Sequence, residues 1–325
     1  MKASIYTQYG SPSGITIKEV DKPVPKDDEV LINVYATTVN RTDCAILRAK
    51  PLFMRLLTGI FRPRKQIMGT DLAGVVEAVG KNVTSFKVGD KVVGFNDMGM
   101  KSHAEFTTIR EKSALTVMPS SIDFTEAVAC IEGAHYAYNF INKVDIRSGG
   151  KVLVNGATGA IGSAAVQMLK YYDAEITAVC NAKDSELVQI LGASSIIDYT
   201  SKDFTKTKEK YDHIFDTVGK STFGKCKPIL VPGGTYISSE LGPNIQNPIL
   251  ALTTRIIGSK KVMFPFPSNP LRSLEFVKKL IEEGKFKAVI DRIYSLDRTA
   301  EAFHYVEQGQ KIGNVVIMVN ETYKP

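Results

Sequence analysis

The sequence predicts an α/β protein of two domains: a small β-rich domain, and a doubly wound parallel sheet with helices on both faces. Three observations predict it. The first third of the chain reads as short apolar strands separated by turn signals. From residue 123 strands and helices alternate, which is the pattern of a parallel sheet built through crossovers. After Pro267 the pattern changes again, so the end of the chain is expected to rejoin the first domain. The expected domains are therefore 1–122 with 268–325, and 123–267.

In order along the chain, strands are expected at 4–7, 15–20, 29–39, 74–80 and 91–95, with turns at 23–28 (P-V-P-K-D-D) and 87–90 (K-V-G-D). Cys44 follows Asp43 in what reads as the end of a strand. Residues 48–65 carry six cations (Arg48, Lys50, Arg55, Arg62, Arg64, Lys65), no acid, and interleaved Leu52, Phe53, Leu56, Leu57, Ile60 and Phe61. A short amphipathic helix with a solvated basic face is one reading of that segment; the mouth of a site for an anionic or amphiphilic ligand is the other. Asp123 and Glu126, three apart, form a capping box that opens a helical stretch to about Asn142. Strands at 151–155, 175–180, 195–199, 211–218, 234–239 and 261–266 then alternate with helices at 162–172 and 184–192, the latter stopped by Gly192. An amphipathic helix at 269–284, a short strand, a helix at 297–308 and a strand at 314–319 complete the chain.

The 325 residues are 44% hydrophobic and 23% charged, an ordinary globular balance that needs no covalent staples for its core. The four cysteines, Cys44, Cys130, Cys180 and Cys226, are widely spread and form no C-x-x-C pair. That argues for a reducing compartment and against a disulfide framework or zinc ribbon. The first ten residues hold no signal-peptide core, and no stretch approaches the length of a bilayer span, so a cytoplasmic protein without membrane insertion is expected. The net charge is +7, but no nucleic-acid motif accompanies it.

The segment K-V-L-V-N-G-A-T-G-A-I-G-S carries the strongest chemical signal. Gly156, Gly159 and Gly162 lie between a strand and a helix, where small residues allow a tight turn, let backbone N–H groups reach a pyrophosphate, and seat the helix close to the sheet. Dinucleotide binding follows, through Gly156, Thr158, Gly159, Ala160, Ile161 and Gly162. At the end of the second strand, where NAD sites usually hold an acid, the chain reads Cys180-Asn181-Ala182-Lys183. Lys183 is suited to a 2′-phosphate, so NADPH is expected; a merely exposed lysine is the other reading. Asp184 is close, and a helix cap would explain it.

The motifs V-N-R-T-D (39–43), M-G-T-D-L-A-G-V-V (68–76), F-K-V-G-D-K-V-V-G-F (86–95), H-A-E-F (103–106), the glycine turn and G-N-V-V-I (313–317) together resemble the medium-chain dehydrogenase/reductase superfamily. Within it the chain is similar to the zinc-free quinone oxidoreductase branch. The resemblance covers nearly the whole chain and implies a GroES-like catalytic domain and a Rossmann domain. Zinc-dependent relatives take ligands from C-x-T-D and G-H-E motifs; here Asn40 and Thr70 stand in those places, and Cys130 alone near a third makes no three-ligand zinc site. No metal is expected, and Cys44 is expected to be a packed side chain. The resemblance implies that Lys183 and Tyr199 contact the 2′-phosphate, and that Asn40 lies near the nicotinamide. Asn181, Thr217, Val218, Phe264 and Asn314 complete the expected cofactor contacts. The family often has G-K where this chain has Gly313-Asn314, with Lys311 a possible substitute.

The expected reaction is hydride transfer to a quinone or α,β-unsaturated carbonyl, which needs no Lewis acid to become electrophilic. Asn40 or a nearby backbone N–H is the expected donor to the developing enolate, with Asp43 fixing the loop; the proton is expected from water or a tyrosine, with Tyr136 and His135 as candidates, or else Tyr136 packs and His135 caps or is solvated. His103 is expected to make a structural contact. A homodimer is expected through the sheet edge around 249–258. The competing readings are a cofactor-binding module without turnover and an alcohol dehydrogenase-type carbonyl reductase.

Overall fold

The computed structural model describes residues 1–52, 54–266 and 268–320; Phe53 of the basic segment, Pro267 and residues 321–325 lie outside the described residues. The chain divides into two compact units, Met1–Glu132 with Asn269–Pro325, and Gly133–Ser268.

The first unit opens with an antiparallel pair, β1 (Lys2–Ile5) and β2 (Thr16–Glu19). Next come β3 (Glu29–Val39), α1 (Arg41–Arg48), α2 (Met54–Thr58), β4 (Asp71–Val79), β5 (Lys91–Phe95), β6 (Phe106–Arg110), β7 (Leu115–Val117) and α3 (Phe124–Ala129). β3 is long and rich in β-branched residues, and it is the hub: it pairs antiparallel with β4 and with β6, burying Val30, Ile32 and Val34 in one core with Leu72, Val76 and Leu115. The capping box of Asp123 and Glu126 is formed, but α3 packs on β3, with Phe124 stacked 4.5 Å from Tyr35. The helix that opens where the sequence changes character thus belongs to the first unit, because its apolar face is spent on β3.

The second unit contains α4 (Glu132–Ile141, whose first residue, Glu132, belongs to the first unit), β8 (Lys151–Asn155), α5 (Ala160–Tyr171), β9 (Glu175–Cys180), α6 (Ser185–Leu191), β10 (Ser195–Asp198), β11 (Tyr211–Asp216), α7 (Phe223–Cys226), β12 (Leu230–Ser238), α8 (Gln246–Thr253) and β13 (Lys261–Met263). Its strands form a parallel sheet in the order β10-β9-β8-β11-β12-β13. This is the doubly wound order whose direction reverses beside the first strand, here β8. Leu153, Ile214, Tyr236 and Val262 bury one face of it.

The chain then returns to the first unit with α9 (Pro270–Glu282), β14 (Ile290–Ser295), α10 (Thr299–Glu307) and β15 (Asn314–Met318). β15 pairs with β3, which extends the first sheet to the order β14-β15-β3-β4-β5-β7 among the described residues. Cys44 lies inside α1 rather than at a strand end, and among the described residues of the basic segment beyond Arg48 the helix is Met54–Thr58. Pro51 and Pro63, with Gly59 at φ +131°, interrupt the periodicity that suggested a longer helix.

Candidate functional site

In the second unit the predicted cofactor residues gather at the carboxyl edge of the parallel sheet. The three glycines of the turn from β8 into α5 do different things. Gly156 has φ +82°, and a Cβ there would overlap Val218 Cγ1. A Cβ on Gly162 would overlap the carbonyl oxygen of Gly156 and stand 2.8 Å from Ala157 Cα, so only glycine lets α5 seat against the turn. Gly159 differs: its Cβ would meet nothing closer than the Gly156 oxygen at 3.5 Å, and as the N-cap of α5 it supplies no side-chain cap. The first-turn N–H groups of α5, which have no intrahelical partners, therefore face an open cradle with a positive partial charge. Thr158 lies in the turn and Ala160 and Ile161 in the first turn of α5. On the cradle's β11 side Thr217 donates to the carbonyls of Asn155 (2.8 Å) and Gly156 (3.2 Å), which fixes Val218 under the turn. The arrangement fits a pyrophosphate.

Register places the adenosine-side candidates together. Asp198 of β10 pairs with Cys180 of β9, and Tyr199 N–H donates to the Cys180 carbonyl at 3.2 Å. Tyr199 therefore stands beside Asn181, whose Oδ1 accepts from Lys183 N–H at 3.1 Å and holds the turn that carries Lys183. Lys183 and Tyr199 are exposed, and no ion pair engages Lys183 among the described residues. Asp198 is turned away onto Thr200, whose N–H and hydroxyl it accepts at 3.0 and 2.8 Å; these bonds hold its carboxyl below the usual range. Asp184 occupies the N-cap position of α6 but makes no side-chain cap bond, contrary to its expected role. Phe264 follows β13 and lies half-buried, 5.0 Å from the Phe266 ring. Tyr136 is half-buried on α4, its ring edge-on to His135 at 5.7 Å. His135 is not solvated. It is buried, lies 3.4 Å from Asn139 Nδ2, and burial pushes its pKa down to about 4.

The first unit holds the other candidates in a buried polar knot at the start of α1. Asn40 is the N-cap. Its Oδ1 accepts from Asp43 N–H (2.9 Å), and Asp43 Oδ2 accepts from Asn40 N–H (3.2 Å), a reciprocal capping box. Asn40 Nδ2 donates to Thr70 Oγ1 at 2.7 Å. The two positions where zinc-dependent relatives hold ligands are thus joined to each other by a hydrogen bond. The expected enolate donor is correspondingly committed: both ends of the Asn40 amide have protein partners. Asp71 is fully buried, with Oδ2 on Thr38 Oγ1 (2.6 Å) and Oδ1 on Thr38 N–H (2.8 Å). Burial pushes its pKa up to about 6 against those bonds. Asp43 is raised well above the carboxylate range by burial and by Asp71. Glu132, raised to about 7 by burial and held back by Lys311, receives Thr42 Oγ1 at 3.5 Å.

His103 makes the expected structural contact: its Nε2 lies 2.9 Å from the Thr38 carbonyl, its ring is edge-on to Phe303, and burial lowers its pKa to about 4. Cys44 packs in the apolar core with Leu47 and Val39, and burial drives its thiol pKa far up, so it is a protonated, unreactive group. Cys130 behaves alike. Asn314 Nδ2 donates to the carbonyls of Ala129 (2.8 Å) and Val289 (3.1 Å), tying three segments of the first unit together. Lys311, the possible phosphate cation, donates instead to Gly313 O and neighbours Glu132. The sequence reading passed over Asp71, Glu132 and Thr38 as site residues. The N-x-x-D spacing of Asn40 and Asp43 was a legible capping signal; the convergence of the three carboxyls was not, since they come from separate elements.

The alcohol dehydrogenase GroES-like domain family matches residues 26–135, and the zinc-binding dehydrogenase family matches residues 191–317. A chloroplast envelope quinone oxidoreductase homolog of Arabidopsis thaliana is 32% identical over 98% of both chains. An NADPH-dependent alkenal/one oxidoreductase of the same plant is 30% identical over 98% of this chain and 79% of its own. The fold of the quinone oxidoreductase from Coxiella burnetii superposes with a TM-score of 0.86 at 22% identity, covering 98% of this chain and 99% of that one. The quinone oxidoreductase of Escherichia coli, solved with NADPH, superposes with a TM-score of 0.81 at 21% identity. With its glycine turn, its strand order and this similarity along both chains, the protein belongs to the medium-chain dehydrogenase/reductase superfamily, in the quinone oxidoreductase-like branch.

Proposed function

We propose that the protein is a zinc-independent, NADPH-dependent oxidoreductase that reduces quinones or α,β-unsaturated carbonyls. The observation that carries this reading is the open cradle at Gly159, with Lys183 and Tyr199 adjacent at the ends of β9 and β10. The N–H groups of α5 bind the pyrophosphate, and Lys183 and Tyr199 hold the 2′-phosphate by charge and by hydrogen bonding. Asn181, Thr217, Val218 and Phe264 shape the cofactor's bed. When bound, the nicotinamide supplies the hydride. The names of the plant relatives, an alkenal/one oxidoreductase and quinone oxidoreductases, support this acceptor class.

Zinc independence is supported by the Asn40–Thr70 hydrogen bond, which uses the two side chains that would have to be ligands. We assign Asn40 and Asp43 as positioning residues that anchor α1, and leave Tyr136 as the candidate proton donor of the second unit. Asn314 acts through the backbone it braces. A cytoplasmic location and a homodimer belong to the same reading; exposed Ile249, Leu252, Ile256 and Ile257 beside the edge strand β13 support the dimer.

Mixing the full chain with NADPH and a panel of quinones and enones, while following cofactor absorbance, tests the activity. Binding of NADPH without turnover on any acceptor would favour the module reading. Turnover of simple aldehydes or alcohols, with one tightly held zinc per chain by elemental analysis, would favour the alcohol dehydrogenase reading.

A further inference from the structure

From Cys44 to Thr70 the chain has six cations and no acid. Three of the cations are engaged: Arg48 with Glu307, Arg55 over the Tyr9 ring at 5.3 Å, and Lys65 with the Met98 carbonyl at 2.8 Å. Lys50, Arg62 and Arg64 are exposed, with no ion pair among the described residues. Beside them Phe61 is 93% exposed, Leu52 73%, Leu56 69% and Ile60 52%. Large apolar side chains this exposed, four within ten residues, are costly in water unless something covers them.

The segment is built to present them. Tyr9 Oη bonds Thr58 Oγ1 (2.7 Å) and the Gly59 carbonyl (2.8 Å), and Arg64 N–H donates to the Thr58 carbonyl (2.9 Å). Gly59 could not be another residue, since a Cβ would overlap the Arg62 carbonyl. The same segment lines a cavity of about 230 Å³ within the first unit, through Met54, Thr58 and Arg64 facing Tyr6, Ile46 and Met68.

We propose that Lys50, Leu52, Leu56, Ile60, Phe61, Arg62 and Arg64 form a peripheral docking surface for an anionic lipid bilayer. Phe61, Leu52, Leu56 and Ile60 enter the boundary between headgroups and acyl chains, while Lys50, Arg62 and Arg64 meet the lipid phosphates. Apolar burial and charge attraction add, as in interfacial segments generally. No helix among the described residues is long and apolar enough to cross the membrane, so the attachment is shallow and reversible. The cavity beside the segment then receives a lipophilic acceptor from the membrane; this last step alone rests on the proposed activity.

Flotation of the full chain with vesicles tests the surface. Binding is expected to vesicles of phosphatidylcholine with about one third phosphatidylserine, not to phosphatidylcholine alone, and about 0.5 M salt should release it. Neutralising two cations, Lys50→Gln with Arg62→Gln, is expected to weaken binding roughly 30-fold, and Phe61→Ser by about tenfold or more. No binding, equal binding to neutral vesicles, or an unchanged double variant overturns the proposal. So does concentration-dependent self-association abolished by Phe61→Ser, which would make a second copy the occupant, or retention on nucleic acid in place of vesicles. Turnover of a water-soluble quinone should be the same in all variants. Its absence in the unmodified chain would count against the activity and leave the vesicle result standing.

Discussion

β9 and β10 end in register, which sets Tyr199 beside Asn181, the residue that holds the turn carrying Lys183; the proposed 2′-phosphate site rests on these two residues, Lys183 and Tyr199. A cation that binds only the 2′-phosphate discriminates between two cofactors that are otherwise alike. Lys183→Ala is therefore expected to raise the NADPH dissociation constant by about 10- to 100-fold, the worth of one charged hydrogen bond, and to leave NADH binding unchanged. Titration of cofactor fluorescence checks it, and equal losses for both cofactors would remove the assignment. Two histidines set a pH dependence of a different kind. His103 and His135 are buried and neutral, with pKa values near 4 against 6.5 when exposed. The unfolded chain takes up their protons first, so these groups cost stability progressively as pH falls from about 6.5 to 4, and cost nothing above. Asp71 and Glu132 act oppositely: folded, they keep protons to about 6 and 7, so they cost stability as pH rises through that range from their ordinary 3.8 and 4.5. His135→Gln should flatten the acid limb of stability between pH 6.5 and 4 by about 3 kcal/mol at most; urea melts across that range measure it. Asn40 was legible in the sequence as the residue in a metal-ligand position. Its actual partners, Thr70 across the fold and Asp43 along the helix, divide the side chain between a tertiary bond and a cap.

The β8–α5 turn is the element on which the proposed cofactor site rests, and its glycines separate packing from open space. Gly162→Ala drives a methyl into the Gly156 carbonyl and should lower the melting temperature together with cofactor affinity. Gly159→Ala has room, so the fold should hold within about 1 kcal/mol while the methyl takes space from a phosphate and weakens NADPH. Thermal melts with and without NADPH distinguish the two; parallel losses in both variants would argue that the cradle is only a packing device. This element was readable because the strand, the glycines and the helix are contiguous. The basic segment was not. Its hydrophobic residues recur at helical spacing, but prolines, Gly59 and the Tyr9 anchor break that period, and among the described residues the helix covers Met54–Thr58. Likewise α3 reads as the start of the second domain, yet Phe124 is spent on Tyr35 of β3.

At the scale of the molecule, the exposed apolar residues of α8 and its continuation flank β13, the open edge of the parallel sheet. Pairing across that edge would cover both the strand and Leu252 and Ile256. Sedimentation of the unmodified chain should show a dimer, and Leu252→Asp with Ile256→Asp should yield monomers that still bind NADPH; an unmodified chain that sediments as a monomer would exclude the dimer. The sequence by itself determined the doubly wound sheet, the return of the last strands, the phosphate turn and the family. Each of these is written in local periodicity or in a contiguous motif, where the physical constraint acts between near neighbours. Only the tertiary structure decided which side chains are free to act. It tied Asn40 to Thr70, Asn314 to Ala129, and Asp198 to Thr200, buried His135, and left Gly159 open. A hydrogen-bonding group has few bonds to give, and which of them the fold consumes depends on partners that the chain brings together from far apart.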